Sequence, residues 1–227
     1  PSPPDRLVLG DPAGPPLVVI VGPTGVGKSE LALRLAEVNR GAIVSCDSRQ
    51  VYEGFDIGTA TPTTAELARV PHDLVSFVPP DRRYTVSDFQ ADARAAIATR
   101  RAAGYLPFLV GGTGLYMRAV LDGLTLPPES DDPSLRAALN QLEDPHAALA
   151  AVDPDGAARL HPNDRYRVVR ALEVHRLTGR PIGEFQQTVP CPYRLLVLGV
   201  GTPRTELYQR IDARVLAMRD AGFLGEV

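Results

Sequence analysis

The sequence has no tryptophan, a single lysine and only two cysteines among its 227 residues. The cysteines, Cys46 and Cys191, lie far apart and form no CxxC or CxxH pair, so the sequence predicts neither a zinc site nor a disulfide framework. Both thiols are expected to be reduced and structural. The histidines, His161 among them, also lack metal-binding spacing and are expected to be structural.

Long apolar runs are missing too, since no stretch approaches the roughly 20 residues that a membrane-spanning helix requires. The proline-rich residues 1–16 contain no basic segment leading into an apolar one, and we interpret them as a flexible tail rather than a secretory signal. The net charge of −3 argues weakly against a protein coated in nucleic acid, although it says little about a local patch. We therefore expect a monomeric, cytoplasmic protein that has no membrane partner.

What the chain does contain is an alternation of β-branched runs and helical periodicity. Strands are predicted at 17–21, 42–46, 74–78, 106–110 and 195–200. Helices are predicted to follow Ser29, to begin near Ser87 as a possible N-cap, and to begin near Pro203. This order predicts an α/β fold of the P-loop type, with a parallel sheet and helices on both faces.

No strand pattern occurs between residues 125 and 190, where the sequence has the pattern of helices. Three helical pieces begin with Asp-Pro, a cap residue followed by proline in the first turn. We therefore predict a P-loop core at 17–124 and 191–227, interrupted by an all-helical insertion at 125–190. The chain stops at Val227 without an evident terminating signal, so the core is expected to be incomplete at that end.

The stretch GPTGVGKS, residues 22–29, matches G-x-x-x-x-G-K-[ST] between a predicted strand and a predicted helix. Backbone N–H groups, the helix start and the Lys28 charge would surround phosphate oxygens, and Ser29 could ligate Mg²⁺. The loop predicted to bind polyphosphate consists of Gly22, Pro23, Thr24, Gly25, Val26, Gly27, Lys28 and Ser29. The motif does not identify the group that carries the phosphates.

Two further polar residues follow predicted strands and should lie on the same sheet edge as this loop. Asp47 ends the strand AIVSC, where it could act in catalysis, hold a metal, or cap the next turn. Thr113 follows the strand that ends in LVGG, where it could bond a leaving oxygen or serve as an N-cap. Position alone leaves these alternatives open.

Residues 159–180 form a basic stretch with a local net charge of +4, in contrast to the whole chain. If Arg167 and Arg170 share a helix face, they could contact successive phosphates or one anionic site. The alternative is a solvated arginine-rich face. The six arginines are Arg159, Arg165, Arg167, Arg170, Arg176 and Arg180.

Seven stretches of the sequence are distinctive as a set. In order, they are GPTGVGKSELALRLA, IVSCDSRQVYEGFDIGTATPT, PHDLVSF, YTVSDF, PFLVGGTGLYMRAVLDGL, LHPNDRYRVVRALEV and RIDARVLAMRDAGFLGEV. Together they resemble, in the same order, the tRNA dimethylallyltransferases, also called tRNA isopentenyltransferases. The resemblance covers nearly all of 18–227, and DSRQVYEGFDIGTATP and HPND are not features of P-loop kinases in general.

The resemblance implies transfer of a dimethylallyl group from dimethylallyl diphosphate to the exocyclic amine of the adenosine beside the anticodon, in tRNAs that read codons starting with U. Lys28 and Ser29 would hold the departing diphosphate with Mg²⁺, and Asp47 would be the general base. Thr113 matches a family threonine that contacts the bridging oxygen of the diphosphate. Arg214 and Arg167 match family arginines near the diphosphate and the tRNA, although the sequence does not say which anion each serves.

The resemblance also implies which residues contact tRNA, because the target adenosine must be flipped into a channel while the rest of the loop is gripped from outside. These are Thr113, with Asp47, Ser48, Arg49 and Gln50 in one stretch and Tyr166, Arg167, Val168, Val169 and Arg170 in another. Members of this family usually continue for several helices beyond the residue that matches Val227. Two other functions stay open: an ATP-dependent small-molecule or nucleotide kinase, and a module that binds the anticodon loop without chemistry.

Overall fold

The computed structural model describes residues 9–128, 130, 133–185 and 187–227, and these fall into two compact units. The first unit comprises residues up to Gly123 together with those from Pro190 onward, and the second spans Leu124–Val189. No described helix combines the length and apolar character needed to cross a bilayer.

The first unit is built on a six-stranded sheet with the order β1-β6-β2-β5-β3-β4. Four neighbouring pairs are parallel, and only β1 runs antiparallel to its neighbour β6. The strands are β1 (Leu9–Gly10), β2 (Pro16–Val21), β3 (Gly41–Cys46), β4 (His72–Asp73), β5 (Leu106–Gly111) and β6 (Arg194–Gly199). The predicted α/β class is therefore confirmed, with one antiparallel strand added at the edge.

Alternating residues of β2 belong to two hydrophobic cores, one on each face of the sheet. Leu17 and Val19 pack in a core with Phe89 of the helix that follows β4, whereas Val18 and Ile20 belong to a core built with the helix after β2. Successive side chains of a strand point to opposite faces, so a strand covered on both sides reads as a continuous apolar run. The prediction of helices on both faces, made from the alternation of strands and helices, is therefore confirmed.

The helices of this unit are α1 (Lys28–Val38), α2 (Asp56–Thr59), α3 (Thr64–Arg69), α4 (Val86–Ala102), α5 (Gly114–Leu121), α10 (Arg204–Asp220) and α11 (Phe223–Glu226). The predicted cap Ser87 is not the N-cap of α4. Thr85 takes that position and forms a capping box with Asp88, in which each side chain accepts the backbone N–H of the other residue.

Two sequence predictions are wrong in this unit. The predicted strand 74–78 is a bent segment, since Leu74 and Ser76 have φ of +62° and +45°, a left-handed conformation that breaks a strand; pairing with β3 occurs at β4 instead. The predicted tail 1–16 includes β1, which pairs with β6, and part of β2. Residues 1–8 lie outside the described residues.

The second unit contains α6 (Pro133–Asn140), α7 (Pro145–Val152), α8 (Pro154–Arg159), α9 (Arg165–Thr178) and a 3₁₀ turn at Ile182–Phe185. Asp144 and Asp153 cap α7 and α8 as the Asp-Pro pattern predicts, because each side chain accepts a backbone N–H of the first turn. Leu149, Val168 and Leu172 lie in its own hydrophobic core.

Candidate active site

A cavity of about 1190 Å³ opens at the carboxyl edge of the sheet, where ligands of open α/β folds bind. All the residues that line it belong to the first unit. They come from the P-loop, from the turn after β3, from the segment around α2 and α3, and from α10. Among them are Thr24, Gly25, Gly27, Lys28, Ser29, Asp47, Gln50, Ile57, Thr59, Thr61, His72, Arg210, Arg214 and Met218.

The loop at residues 22–29 joins β2 to α1 as the motif predicts. Gly25 and Gly27 have φ of +82° and +96°, a conformation that favours glycine. Gly27 is the N-cap of α1 and offers no side-chain bond, so the first N–H groups of this 11-residue helix are available to an anion. The loop geometry is that of a phosphate site.

Lys28 is affected by the other charged groups of the site. Its Nζ donates to the Pro23 carbonyl at 2.9 Å. Burial lowers the pKa of Lys28, the Asp47 carboxylate opposes that shift, and the Arg214 guanidinium adds to it. Asp47 and Arg214, the other two charged groups predicted for the site, therefore both act on Lys28.

Asp47 and Thr113 each accept a backbone N–H of the turn that follows β3. Thr113 Oγ1 accepts the Ser48 N–H at 3.2 Å, and Asp47 Oδ1 accepts the Arg49 N–H at 2.8 Å. Thr113 is the N-cap of α5 by position, but its side chain makes no cap bond within the helix. The plain N-cap alternative therefore does not describe what this hydroxyl does.

The neighbouring thiol has no nucleophilic role in this arrangement. Cys46 is buried, and burial raises the pKa of its thiol, with a further increase from Asp47. Cys191 is also unpaired, as predicted.

The donor set for a metal is small. Across the described residues, no group of three or more His, Cys, Asp or Glu could hold an ion. Ser29 and Asp47 both line the cavity and offer oxygen atoms. Mg²⁺ in phosphate sites keeps several waters and takes one or two protein oxygens together with phosphate oxygens, so this donor set fits Mg²⁺ held mainly by a diphosphate.

Helix α10 supplies the wall beside the P-loop, and sequence reasoning found only one of its residues. Arg214 lines the cavity as predicted. Arg210, one turn earlier, also lines it and donates to the Val26 carbonyl at 3.4 Å. Ile211 lies so near Gly25 that a Cβ there would be 2.9 Å from its side chain. The i, i+4 spacing of the two arginines is the signal that could have found Arg210.

Gln50 lines the cavity, and its side-chain amide is hydrogen-bonded to the protein. Its Oε1 accepts from Ser45 Oγ at 2.9 Å, and its Nε2 donates to the Thr59 and Ala60 carbonyls at 3.2 and 3.0 Å. The amide thereby fixes the cavity wall. Arg49 is exposed.

In the second unit the predicted tRNA-contacting residues separate by helix face. The Tyr166 and Arg167 side chains are about three-quarters exposed. Val168 and Val169 are buried in the core of that unit, so their side chains offer no external contact. Arg170 is nearly buried and pairs with Glu173 at 2.7 Å, so it does not share an exposed face with Arg167. Residues adjacent in sequence are about 100° apart on a helix, and a contiguous run cannot face one ligand.

The other notable side chains of the second unit are structural. His161 Nδ1 accepts the Asn163 N–H at 3.1 Å, as expected of a turn residue. Arg165 donates to the Asn140 and Leu142 carbonyls at the end of α6, and Arg180 pairs with Glu184. Part of the basic stretch is thus used to hold the unit together.

Comparison with known proteins gives one consistent family. The model of the IPP transferase family matches residues 50–227, and that of the isopentenyl transferases matches residues 15–72. The chain is 50% identical over 218 residues to the tRNA dimethylallyltransferase of Roseiflexus sp. (strain RS-1), covering 93% of this chain and 72% of the relative. It is 48% identical over 230 residues to that of Geobacter sulfurreducens, covering 96% and 74%.

Solved structures agree. A eukaryotic dimethylallyltransferase acting on tRNA superposes with a TM-score of 0.82 at 31% identity, over 94% of this chain and 55% of that one. The full-length tRNA isopentenylpyrophosphate transferase of Bacillus halodurans gives a TM-score of 0.64 at 41% identity, over 92% and 68%. The chain belongs to the tRNA dimethylallyltransferase family.

Proposed function

We propose that the protein transfers the dimethylallyl group of dimethylallyl diphosphate to the exocyclic amine of the adenosine beside the anticodon of tRNAs that read codons starting with U. The observation that carries this proposal is the convergence of Lys28, Asp47 and Arg214 on one cavity that opens beside a phosphate-binding loop. We further propose that the protein is cytoplasmic and monomeric.

The leaving group occupies the P-loop end of the cavity in this proposal. The C–O bond of the dimethylallyl diphosphate breaks as negative charge accumulates on the diphosphate, and fixed positive charge there lowers the barrier. Lys28, Arg214 and the N–H groups at the start of α1 supply that charge. Mg²⁺, held through Ser29 and by water near Asp47, would neutralise the diphosphate oxygens. We assign the Thr113 hydroxyl, whose oxygen accepts the Ser48 N–H, as the donor to the bridging oxygen.

Asp47 is the proposed general base. An adenine amine is a weak nucleophile because its lone pair is delocalised into the ring, so a base that removes its proton assists attack on the first carbon of the dimethylallyl group. Asp47 Oδ1 accepts the Arg49 N–H, which fixes the carboxylate, and we assign the proton to Oδ2. A new N–C bond forms, the C–O bond breaks, and the proton passes to Asp47.

In this proposal, residues outside the cavity bind the tRNA around the target adenosine. Arg49 lies next to the general base and is exposed, and Tyr166 and Arg167 are exposed in the second unit. Arginine suits backbone phosphates and an aromatic ring suits stacking on an unpaired base. The adenosine enters the cavity as a flipped base.

Mass spectrometry of an anticodon stem-loop tests the function. Incubation with dimethylallyl diphosphate and Mg²⁺ should add one dimethylallyl group to the RNA, and ATP in its place should add nothing. A mass gain on a nucleotide or small molecule that requires ATP would support the kinase alternative and contradict the proposal.

The base is tested by Asp47→Asn, which keeps the size of the side chain and one acceptor oxygen. Transfer should slow by roughly 10²–10⁴-fold, the range for loss of a general base, while the dissociation constants of both substrates change little. The matched control is Asp81→Asn, an exposed position outside the cavity, which should transfer normally. Undiminished single-turnover transfer by Asp47→Asn would remove Asp47 as the base.

A further inference from the structure

The cavity wall formed by residues 55–61, called the α2 wall below, is held by side chains from outside it. Ile57, Thr59, Ala60 and Thr61 of this wall line the cavity. Its regular secondary structure is limited to the four residues of α2, and none of those four is buried. So short and exposed a segment gains little stability of its own, and contacts from elsewhere must fix it.

The strongest of these contacts comes from the far end of the chain. Glu226, in α11, accepts the Ile57 N–H through Oε1 at 2.6 Å and the Gly58 N–H through Oε2 at 2.7 Å. Phe223 of the same helix packs on Gly58, where a Cβ would be 2.5 Å from the ring. Two consecutive N–H groups on one carboxylate form a charge-assisted bidentate contact, which is stronger than bonds between neutral groups.

The opposite end of the α2 wall is strained and is held by the turn after β3. Ala60 has φ of +51°, a left-handed conformation that a non-glycine residue keeps only where its surroundings enforce it. Gln50 donates to the Thr59 and Ala60 carbonyls at this point. Ser76 Oγ also donates to Asp56 Oδ1 at 2.5 Å, so side chains from three other segments hold the wall.

We propose that Glu226 is a positioning residue that shapes the cavity for the nucleoside end of the RNA substrate, an inference that rests on the proposed function. Helices α10 and α11 contact the P-loop through Arg210 and the α2 wall through Glu226. Among the described residues, Lys28 and Ser29, which hold the diphosphate in the proposed function, share no hydrogen bond or ion pair with Glu226. Loosening the wall should therefore weaken RNA binding more than diphosphate binding.

The test compares Glu226→Ala with Glu226→Gln, which keeps one acceptor oxygen. The amides of Ile57 and Gly58 should exchange hydrogen about tenfold faster in Glu226→Ala, with an intermediate rate in Glu226→Gln. The KM for an anticodon stem-loop should rise about tenfold in Glu226→Ala, whereas kcat and the KM for dimethylallyl diphosphate stay within about twofold. Asp220→Ala removes an exposed acid from the end of α10 and should change none of these values.

Unchanged exchange at Ile57 and Gly58 overturns the proposal, and so does faster exchange with an unchanged KM for the stem-loop. An equal rise in both KM values also overturns it, because the wall would then serve the diphosphate as well. If the unmodified protein transfers no dimethylallyl group, the proposed function fails instead. The dissociation constant of the stem-loop then replaces KM, with the same tenfold criterion, so the two failures remain distinguishable.

Discussion

At the scale of single residues, the hydrogen bonds of Thr113 distinguish a structural role as an N-cap from a chemical role as a donor to a ligand. A threonine at a helix start is usually an N-cap, and its loss then costs about 1 kcal/mol of stability. Here the hydroxyl oxygen accepts the Ser48 N–H, which leaves its hydrogen available to a ligand. Ser48 directly follows Asp47, so the Thr113 hydroxyl lies at the same edge of the sheet as the proposed general base.

Thr113→Val, which keeps the shape and removes the hydroxyl, should lower kcat roughly 10²-fold, as expected for loss of one donor to a developing negative charge. Thr113→Ser should keep most of the activity. Single-turnover transfer to the stem-loop measures both. A loss of thermal stability in Thr113→Val with kcat unchanged would show instead that the hydroxyl only supports the fold.

The residues that sequence could predict are those whose chemistry is tied to a strand end. Lys28 and Asp47 follow β2 and β3, and parallel topology brings such positions to one edge. The family resemblance implied tRNA contacts at Val168 and Val169 as part of one continuous stretch, but helical geometry turns their side chains into the core. The contacts of Glu226 depend on how distant segments pack, which no local pattern encodes.

At the scale of elements, α9 is joined to α6 by a buried ionic group. Glu173 is almost fully buried, and its Oε2 lies 2.7 Å from Arg170 Nη1 and 3.4 Å from Arg136 Nη2. Arg136 also lies over the Tyr166 ring at 5.5 Å. Arg170, one of the arginines predicted to form a nucleic-acid patch or a solvated face, therefore pairs within α9, and Arg136 links α6 to α9 through the same carboxylate.

Glu173→Ala should lower the free energy of unfolding by about 3 kcal/mol, because it leaves two largely desolvated guanidinium groups without their acid. Replacing Arg136 and Arg170 by Met and Glu173 by Leu together should recover most of that loss, since this apolar group carries no uncompensated charge. Urea unfolding followed by circular dichroism measures both.

The control is Glu184→Ala, which breaks the exposed pair with Arg180 and should cost under about 1 kcal/mol. An equal effect of Glu173→Ala and Glu184→Ala would mean that burial adds nothing to the Glu173 contacts.

The sequence predicted element boundaries correctly where the Asp-Pro capping rule applied. It predicted them wrongly where left-handed backbone geometry ended a strand. The Asp-Pro pairs at Asp144 and Asp153 gave the correct helix starts. The apolar residues at 74–78 resembled a strand, yet left-handed residues bend that segment, so that pairing with β3 occurs at β4 and the segment itself keeps only an isolated bridge between Val78 and Tyr52. A positive φ at leucine or serine leaves no sequence signature.

At the scale of the whole molecule, the described residues form hydrophobic cores that do not mix between the two units. Both cores of the sheet consist of residues from the first unit, and the third core consists of residues 135–182 of the second. A unit that buries its own core can fold independently. The cavity, with Lys28 and Asp47, lies wholly in the first unit.

Replacing residues 124–189 by a flexible Gly/Ser linker of about 12 residues, with a root-mean-square span of about 20 Å, should therefore leave a folded first unit. Calorimetry with Mg²⁺ should show dimethylallyl diphosphate binding within about threefold of the intact chain, because every residue at the proposed phosphate site is retained. Binding of a fluorescent anticodon stem-loop should weaken at least tenfold, since exposed cationic and aromatic contacts are removed. Arg167→Ala in the intact chain is the matched control, and it should weaken stem-loop binding without changing diphosphate binding. If the shortened protein bound the stem-loop as tightly as the intact chain, the RNA grip would have to lie in the first unit, around Arg49.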